Sequence, residues 1–334
     1  MIAAAGLDRL IGDPLWSPHP VVLMGKCISL LRGRVEAWGG DQPLLLRIGG
    51  IAITLVLTLG SASLGWMVER LCLNTQGVLQ VIALAVLVIG LASALAAKSL
   101  ELSVLAVISA LPSTEGGDLS AAREKLSWIV GRDTSTLTRD EILRATAETA
   151  SENAVDGLFA PLFWMWVGAV LWSLGLTAAP GPLALAWGFK AASTLDSMLG
   201  YRRGRLRWLG TAGARLDDML TWLPCRLVML SLPIISQPLP QWPALIRSAE
   251  SEGRHDASPN AGRSEAIYAH CAGVQLGGRN RYGDHWVDKP VLGIGHPCPD
   301  PDGVIRIVRL TRRLELLWLM AVAVCSWKLK GSVQ

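Results

Sequence analysis

The chain has 334 residues, of which 51% are hydrophobic and only 17% are charged. Ordinary soluble domains carry about 25% charged residues, so this composition is typical of a membrane protein. The formal net charge of +4 is modest and forms no polybasic block along the sequence, which argues against a nucleic-acid partner. The six cysteines contain no Cys-x-x-Cys pair, so the sequence predicts neither a disulfide framework nor a zinc site.

Two uncharged apolar segments are the first predicted transmembrane helices. Residues 48–68 and 77–97 are each long enough to cross about 30 Å of hydrocarbon. Arginines precede the first segment and Lys98 follows the second, so the positive-inside rule places both flanks in the cytoplasm. Residues 1–14 lack a basic leader, and we therefore expect no cleavable signal peptide.

The polar segment 112–157 lies on the cytoplasmic side in this topology. Within it, Thr138 followed by Asp140 and Glu141 is a typical helix start. Two further apolar segments follow, and we predict that they cross the membrane at 158–178 and 182–199. Several arginines come directly after them, which again indicates the cytoplasmic side.

The C-terminal third leaves the topology open. Residues 219–236 are interrupted by two prolines and an arginine, so they could form a kinked span or a re-entrant segment. Residues 314–327 are short for a full crossing. If both segments cross, the region 237–313 is extracytoplasmic, and if neither crosses, it is cytoplasmic. The predicted fold class is all-α, a polytopic integral membrane protein with cytoplasmic helical and loop segments that forms one domain over residues 1–334.

A stripe of acids stands at the entrance to the third apolar segment. Glu148, Glu152 and Asp156 lie four residues apart, along one face of a predicted helix, with Asn153 beside them. Unpaired carboxylates at this spacing repel, so they require a cation, which could be Mg²⁺ or an arginine from elsewhere. The alternative is a solvated acidic face.

A second group of ionisable residues falls inside or next to apolar segments. Lys190 and Asp196 lie within an otherwise apolar stretch, where a charge is costly unless it faces protein or water. Asp217 and Asp218 open the next apolar segment and point about 100° apart on a helix, so one could face a site while the other pairs with Arg215. For the arginines at 202–207, membrane-surface anchoring is the competing interpretation.

The segment 256–293 contains turn and glycine signals. Ser258 and Asn260 flank a proline in a predicted turn, and Glu265 lies near the start of a helical stretch. Gly277 and Gly278 are predicted to end this helix, and with the arginines and Tyr282 that follow they could present N–H groups and cations to a phosphate. They could equally form only a turn.

Near the N-terminus, three prolines bracket His19, in the stretch that begins Gly12-Asp13-Pro14. A lone histidine is commonly a structural hydrogen-bonding residue, and this alternative stays open for His19. The later His285, His296 and Cys298 lack zinc spacing, so no metal is predicted there.

Taken together and in order, these blocks resemble the adenosylcobinamide-phosphate synthase family of cobalamin assembly, known as CbiB or CobD. The resemblance covers nearly the whole chain. Its motifs are GDPxWxPHPV (12–21), KLSWIVGRDTSTL (125–137), ETASENAVDGLFAPLF (148–163), FKAASTLDSMLGYR (189–202), ARLDDMLTWLPCRL (214–227), and SPNAGRSEA with LGG and KPxLG after residue 258. The chain departs from the family pattern at Ser193, where Asn is usual, and at Arg263, where an aromatic residue is common.

The resemblance implies an ATP- and Mg²⁺-dependent amide ligase of the bacterial inner membrane, with its active site on the cytoplasmic side. Such an enzyme joins the propionate carboxyl of adenosylcobyric acid to aminopropanol phosphate. ATP, the corrinoid, the aminopropanol compound and membrane lipids are then the expected partners, with other cobalamin-assembly enzymes as further candidates. No GxxxxGK[ST] loop is present, so nucleotide binding is predicted to differ from that of P-loop proteins.

Candidate site residues follow from combining the residue patterns with this resemblance. The catalytic candidates are Glu152, Asp156, Asp217, Asp218, Lys190 and His19. The metal candidates are Glu152, Asp156, Asp217 and Asp218. The substrate-binding candidates are Asp13, Asn153, Asp196, Tyr201, Arg215, Ser258, Asn260, Glu265, Gly277, Gly278, Tyr282 and Lys289.

Two other classes of function remain alternatives. A small-molecule transporter would use the in-span Lys190 and Asp196 as a coupling pair, although few spans and long polar segments argue against it. A non-catalytic membrane sensor of the same superfamily would have no need of the clustered acids.

Overall fold

The computed structural model describes residues 1–13, 19–114, 116–282 and 285–331, and these residues are almost entirely helical. The helices are α1 (Ile2–Ile11), α2 (Pro20–Gly39), α3 (Pro43–Asn74), α4 (Gly77–Ala92), α5 (Ala97–Ser109), α6 (Ser120–Ser127), α7 (Arg139–Ala154), α8 (Ala160–Ser173), α9 (Pro182–Leu199), α10 (Leu206–Leu209), α11 (Thr211–Ser236), α12 (Trp242–Gly253), α13 (Ala261–Ala272) and α14 (Pro301–Gly331). A π-helical turn, Val155–Phe159, follows α7, and a 3₁₀ turn, Leu239–Gln241, precedes α12. Strands β1 (Leu276–Tyr282) and β2 (His285–Leu292) form an antiparallel hairpin.

Among the described residues, four helical stretches are long and apolar enough to cross a membrane. They are Pro43–Asn74, Gly77–Ser109, Arg139–Ser173 and Thr211–Ser236. Together with the high helix content, they confirm the predicted all-α polytopic membrane fold.

The predicted spans fall on helices throughout. Residues 48–68, 77–97 and 158–178 overlap the first three of these stretches. Residues 219–236 belong to the continuous helix α11, which contains two prolines without breaking. Residues 182–199 coincide with α9 and residues 314–327 lie in α14, but neither helix is among the four.

The described residues form two compact units. The first comprises residues 1–98, 156–221 and those from 321 onward, and the second comprises residues 99–155 and 222–320. The chain therefore passes between the units four times, and each unit is assembled from segments that are distant in sequence.

In the first unit, α2, α3 and α9 pack around an aliphatic core that includes Met24, Ile28, Leu46, Ile53 and Leu195. Small residues allow α3 and α9 to approach closely, as helices in membranes commonly do.

A buried carboxylate fixes the start of α9 in the first unit. Glu69 on α3 is 0% exposed and accepts the backbone N–H groups of Gly181, Leu183 and Ala184 at 2.9, 2.6 and 3.1 Å. A carboxylate at a helix N-terminus is stabilised both by these charge-assisted hydrogen bonds and by the helix dipole. This contact holds in place the helix that carries Lys190.

In the second unit, α7 begins as the sequence predicts. Thr138 accepts the N–H of Glu141 at 3.4 Å, and the Glu141 carboxylate accepts the N–H of Thr138 at 2.8 Å. This capping box satisfies two N–H groups that the first helical turn leaves without intrahelical partners.

The far end of α7 differs from the prediction. The α-helix ends at Ala154, and the π-helical turn Val155–Phe159 follows. Because a π-helical turn holds an extra residue, the four-residue periodicity that would align Glu148, Glu152 and Asp156 on one face stops there. The chain also passes from the second unit to the first between residues 155 and 156.

The end of α13 is a second correction. This helix ends at Gly273, which adopts the left-handed conformation with φ 68°, rather than at Gly277 and Gly278. These two glycines lie in β1, at an irregularity in the strand register. A Cβ atom on Gly277 would lie 1.9 Å from the carbonyl oxygen of Pro290, so only glycine permits this approach of the two strands.

Candidate functional site

Two groups of charged residues, one in each unit, contain most of the predicted catalytic and metal residues. The first, which we call the aspartate cluster, consists of Asp13, Asp156, Lys190, Asp196, Asp217 and Asp218. The second, the glutamate cluster, consists of Arg132, Arg144, Glu148, Glu152, Glu265 and Lys289.

The aspartate cluster is centred on Asp217 of α11, which is only 8% exposed. The charges that act on Asp217 most strongly are those of Asp156, Asp196 and Asp218, which are negative, and of Lys190, which is positive. The helices of the first unit therefore bring several carboxylates into one largely buried region.

One atom of this cluster points to a ligand. Asp217 Oδ1 is buried and has no hydrogen-bond partner among the described residues. A buried acceptor left without a partner costs about 1–3 kcal/mol, and more when it carries a charge. Such an oxygen is suited to a cation or a strong donor.

Lys190 of α9 lies among the acids of the same unit. The charges that act on it most strongly are those of Asp156, Asp13 and Asp217. Its side chain is partly buried. An ionisable group in an apolar helix is expected to face protein partners in this way.

His19 begins α2 and contacts the predicted substrate residue Asp13. Its Nδ1 atom accepts the N–H of Val21 at 3.3 Å, and its Nε2 atom lies 3.1 Å from Asp13 Oδ1. Because Nδ1 accepts a hydrogen bond, the proton of the neutral ring resides on Nε2, facing the carboxylate. The prolines at 14 and 18 lie outside the described residues.

The metal prediction can be compared with the donor set. Among the described residues, no three histidine, cysteine, aspartate or glutamate side chains form a ready metal site. Mg²⁺, however, is usually bound through one or two carboxylates together with substrate phosphates and water. The Asp217 carboxylate with its unpartnered oxygen, next to the charge of Asp156, fits that mode of binding.

The glutamate cluster of the second unit is organised around Glu148 of α7. Its carboxylate lies 2.9 Å from Arg132 Nη2 and 3.7 Å from Arg144 Nε, and it accepts the backbone N–H of Gly277 at 2.9 Å. Of the two cations that the acidic stripe could require, an arginine is therefore the one that Glu148 has. The Gly277 N–H, predicted as a phosphate donor, is occupied by this side chain.

Arg144 extends the same network to strand β1. Its Nη2 atom donates to the carbonyl oxygen of Arg279 at 3.0 Å and to Asn280 Oδ1 at 3.3 Å. Helix α7 thus holds the hairpin through both a cation and a carboxylate.

Glu265 of α13 and Lys289 of β2 form a buried ion pair, with 3.4 Å between Nζ and Oε1. The attraction of Glu265, reinforced by Glu152 and Glu148, raises the pKa of Lys289 above its ordinary value. Burial raises the pKa of the Glu265 carboxyl well above its ordinary value. The charges that act most strongly on Glu152 are those of Lys289, Asp256 and Glu148, so Glu152 belongs to this group.

Three buried polar atoms of the second unit have no hydrogen-bond partner among the described residues. They are Glu265 Oε2, which is an acceptor, and Arg132 Nε and Asn280 Nδ2, which are donors. Glu148 connects them, since it pairs with Arg132, and Arg144 links it to Asn280, while its charge acts on Glu265.

Several predicted residues serve local structure. Ser258 Oγ accepts the N–H groups of Asn260 and Ala261 at 3.2 and 3.3 Å, which shapes the turn before α13. Asn260 is buried and accepts a hydrogen bond from Arg226 through Oδ1. These contacts account for both residues without a ligand.

Other predicted residues lie at the surface. Asn153 is exposed and donates to Thr149 Oγ1 at 2.8 Å, and Arg215 is exposed on α11. Tyr201 is exposed and stacks under Arg203 at 5.0 Å. The backbone of Tyr282 pairs in the hairpin, but its side chain lies outside the described part of the structure.

Sequence reasoning missed three residues of the glutamate cluster region: Arg132, Arg144 and Asn280. Arg132 is inside a motif that the resemblance rests on, and the requirement of the acidic stripe for a cation was the available signal. Nothing in the sequence indicated which arginine would supply it, because Arg132 lies 16 residues before Glu148 and outside the helix.

Comparisons with known proteins decide the family. The model of the CobD/Cbib protein family matches residues 1–311. The chain belongs to the CobD/Cbib family. It is 43% identical to cobalamin biosynthesis protein CobD of Synechocystis sp. over 87% of this chain and 81% of the relative. It is 36% identical to CobD of Pelobacter propionicus over 96% and 91%, and 37% identical to CbiB of Salmonella arizonae over 93% and 90%.

The names of these CobD/Cbib relatives support a role for this chain as an enzyme of cobalamin biosynthesis. No solved structure matches the chain.

Proposed function

We propose that this chain is an ATP-dependent amide ligase that joins aminopropanol, as its phosphate, to the propionate carboxyl of adenosylcobyric acid. The relatives' role in cobalamin biosynthesis and the resemblance of the motifs support this reaction. The observation that carries it is the buried Asp217 carboxylate, with an unpartnered oxygen, in the same cluster as Lys190 and Asp156.

The reaction divides into two steps. A carboxylate is a poor electrophile, so a propionate oxygen first attacks the γ-phosphorus of ATP, and ADP leaves. The amine nitrogen then attacks the acyl carbon of the resulting acyl phosphate, and phosphate leaves as the amide forms. One proton of the ammonium passes to a base before attack, and the second departs with the phosphate.

We assign the first step to the aspartate cluster. Asp156 and Asp217, with Asp218 next to them in sequence, would hold Mg²⁺ through their carboxylates. The ion supplies neutralisation of the phosphate charge during phosphoryl transfer. Lys190, held among these acids, is positioned to donate hydrogen bonds to phosphate oxygens, and the acids keep its ammonium oriented.

We assign the amine to the glutamate cluster. Arg132 Nε and Asn280 Nδ2 are donors suited to a phosphate monoester, and Glu265 Oε2 is an acceptor suited to an ammonium group. Because burial raises the pKa of Glu265, this carboxyl is a stronger base than an exposed one and is suited to accept the ammonium proton. Glu152 then belongs with the amine rather than with the metal ion in this assignment.

The test uses the purified, detergent-solubilised full chain with adenosylcobyric acid, ATP, Mg²⁺ and aminopropanol phosphate. We expect a product with the mass of the amide, together with ADP. Asp217→Asn should abolish both, whereas Asp288→Asn, a change at an exposed aspartate of β2, should leave both unchanged. Absence of amide and ADP with the folded wild-type chain would contradict the proposal and favour the sensor or transporter alternatives.

A further inference from the structure

Seven arginines from separate parts of the chain gather at one end of the first unit. They are Arg32, Arg34, Arg47, Arg202, Arg203, Arg205 and Arg207, and we call them the arginine surface. Trp208 joins two of the segments, because the guanidinium groups of Arg47 and Arg207 lie 4.5 and 4.9 Å from its ring centroid.

The backbone around this surface is held in place by close packing. Leu206 and Leu209 of α10 are buried in the same core as Leu46 of α3. Gly50 of α3 lies directly against the backbone of Leu209, and a Cβ atom at Gly50 would be 2.0 Å from the Leu209 carbonyl oxygen. Helix α10 therefore rests on the start of α3.

Helix α2 meets the same end of α3. A Cβ atom at Gly49 would lie 2.2 Å from a methyl group of Val35, so these two helices are also in close contact. Arg34, which is exposed, is the neighbour of Val35 on α2. Segments at 32–47 and 202–208 thus present one continuous set of basic side chains.

The charge of this surface is large for this chain. Only two acids, Glu36 and Asp41, lie in the same two segments, and they pair with Arg32 and Arg205 at 2.8 and 2.7 Å. Seven arginines against two acids leave a surplus of five positive charges, which exceeds the net charge of +4 of the whole chain.

The surface also lies where a membrane-spanning helix begins. Arg47 is followed directly by the apolar stretch of α3, on which Ile48 and Ile51 are exposed, as is Leu44 before it. Guanidinium groups and a tryptophan at the start of a spanning helix occupy the depth of lipid headgroups. Arginine binds phosphate with two parallel hydrogen bonds, and basic groups next to a span attract anionic lipids.

We propose that the arginine surface binds the phosphate groups of anionic phospholipids in the leaflet next to it. The occupant is a lipid because the exposed apolar side chains of α3 adjoin the basic groups and would contact its acyl chains. The charge surplus favours an anionic lipid over a zwitterionic one. This inference is independent of the proposed ligase chemistry, since none of the seven arginines is in either cluster.

The test measures lipid retention by native mass spectrometry. The detergent-purified full chain is incubated with phosphatidylglycerol or with phosphatidylcholine of the same acyl composition. We expect the wild type to retain phosphatidylglycerol preferentially. Changing Arg202, Arg203 and Arg207 together to Gln should reduce its retention by about tenfold, because each basic residue contributes to the attraction.

A matched triple variant controls for the loss of charge alone. Arg247, Arg254 and Arg279 are exposed arginines of the second unit, and changing them to Gln should leave phosphatidylglycerol retention unchanged. A triple Arg→Lys variant at 202, 203 and 207 keeps the charge and should retain more lipid than the Gln variant. Equal retention of both lipids by the wild type, or equal losses in the two Gln variants, would overturn the proposal.

Discussion

The two charged clusters use similar residues to different ends. In the glutamate cluster, Glu148 has Arg132 and Arg144, and Glu265 has Lys289, so the buried charges are balanced within the protein. In the aspartate cluster, the strongest charges around Asp217 are three acids and one lysine. A cluster that balances itself can stabilise the fold, whereas one with accumulated negative charge is suited to receive a cation from outside.

This comparison separates effects on activity from effects on stability. Substitutions in the aspartate cluster should affect catalysis and leave folding intact, because they relieve repulsion. Substitutions in the glutamate cluster should affect folding when they leave an arginine without its partner. The predictions below test this division, starting with the largest effect.

Asp217→Asn should lower the rate of amide formation by about 10³-fold, because it removes a carboxylate from the ion and phosphate site. The unfolding temperature in detergent should stay at or above that of the wild type, since the change removes one of several neighbouring negative charges. Mass spectrometry of the product and thermal unfolding measure the two effects. A large drop in unfolding temperature would assign Asp217 a structural role instead.

Glu148→Gln should destabilise the second unit by about 3 kcal/mol, because it leaves the buried Arg132 without its carboxylate. Side chains of both partners are only 6% exposed, so solvent cannot compensate. Thermal unfolding measures this loss. The double variant Glu148→Gln with Arg132→Met should recover part of the stability, and no recovery would argue against the pairing as the cause.

Glu265→Gln should lower kcat/KM for the amine by about 10²-fold, the usual contribution of a general base. Because the pKa of Glu265 is raised, its carboxylate form and hence the wild-type rate should increase with pH above the ordinary carboxyl range. This limb of the pH profile should be missing in the Gln variant. An identical pH profile for both proteins would remove Glu265 as the proton acceptor.

The same raised pKa has a consequence for stability. The protonated form of Glu265 is favoured in the folded state, so its contribution is present below the unfolded-state pKa and is lost as pH rises through the folded-state pKa. Unfolding temperature should therefore fall less with rising pH in Glu265→Gln than in the wild type.

Thr138→Ala should have the smallest effect, a loss of about 1 kcal/mol, because it removes the side-chain half of the capping box at the start of α7. Activity should be unchanged at temperatures where the protein is folded. Glu124→Gln, an exposed change on α6, serves as the control for both readouts.

The fold class and most helix positions could be predicted because apolar length and capping are local signals. Thr138 with Glu141 is an example, since both partners lie within one helical turn. The hairpin could not be predicted, because Gly277 and Gly278 carry a turn signal and their strand conformation depends on contact with the distant Pro290.

The candidate site was predictable in its residue types but not in its grouping. The spacing of Glu152 and Asp156 suggested one shared face, yet the π-helical turn and the unit boundary lie between them. The sequence also showed no polybasic block, since the arginine surface forms only when segments more than 150 residues apart come together around Trp208. Long-range packing of this kind leaves no local signal.

The division of labour between the two clusters can be tested by one measurement. ADP formation that depends on adenosylcobyric acid is followed without any amine, in the wild type, Asp217→Asn and Glu265→Gln. The account predicts that Asp217→Asn loses this partial reaction and that Glu265→Gln retains it. Loss in Glu265→Gln together with retention in Asp217→Asn would contradict it.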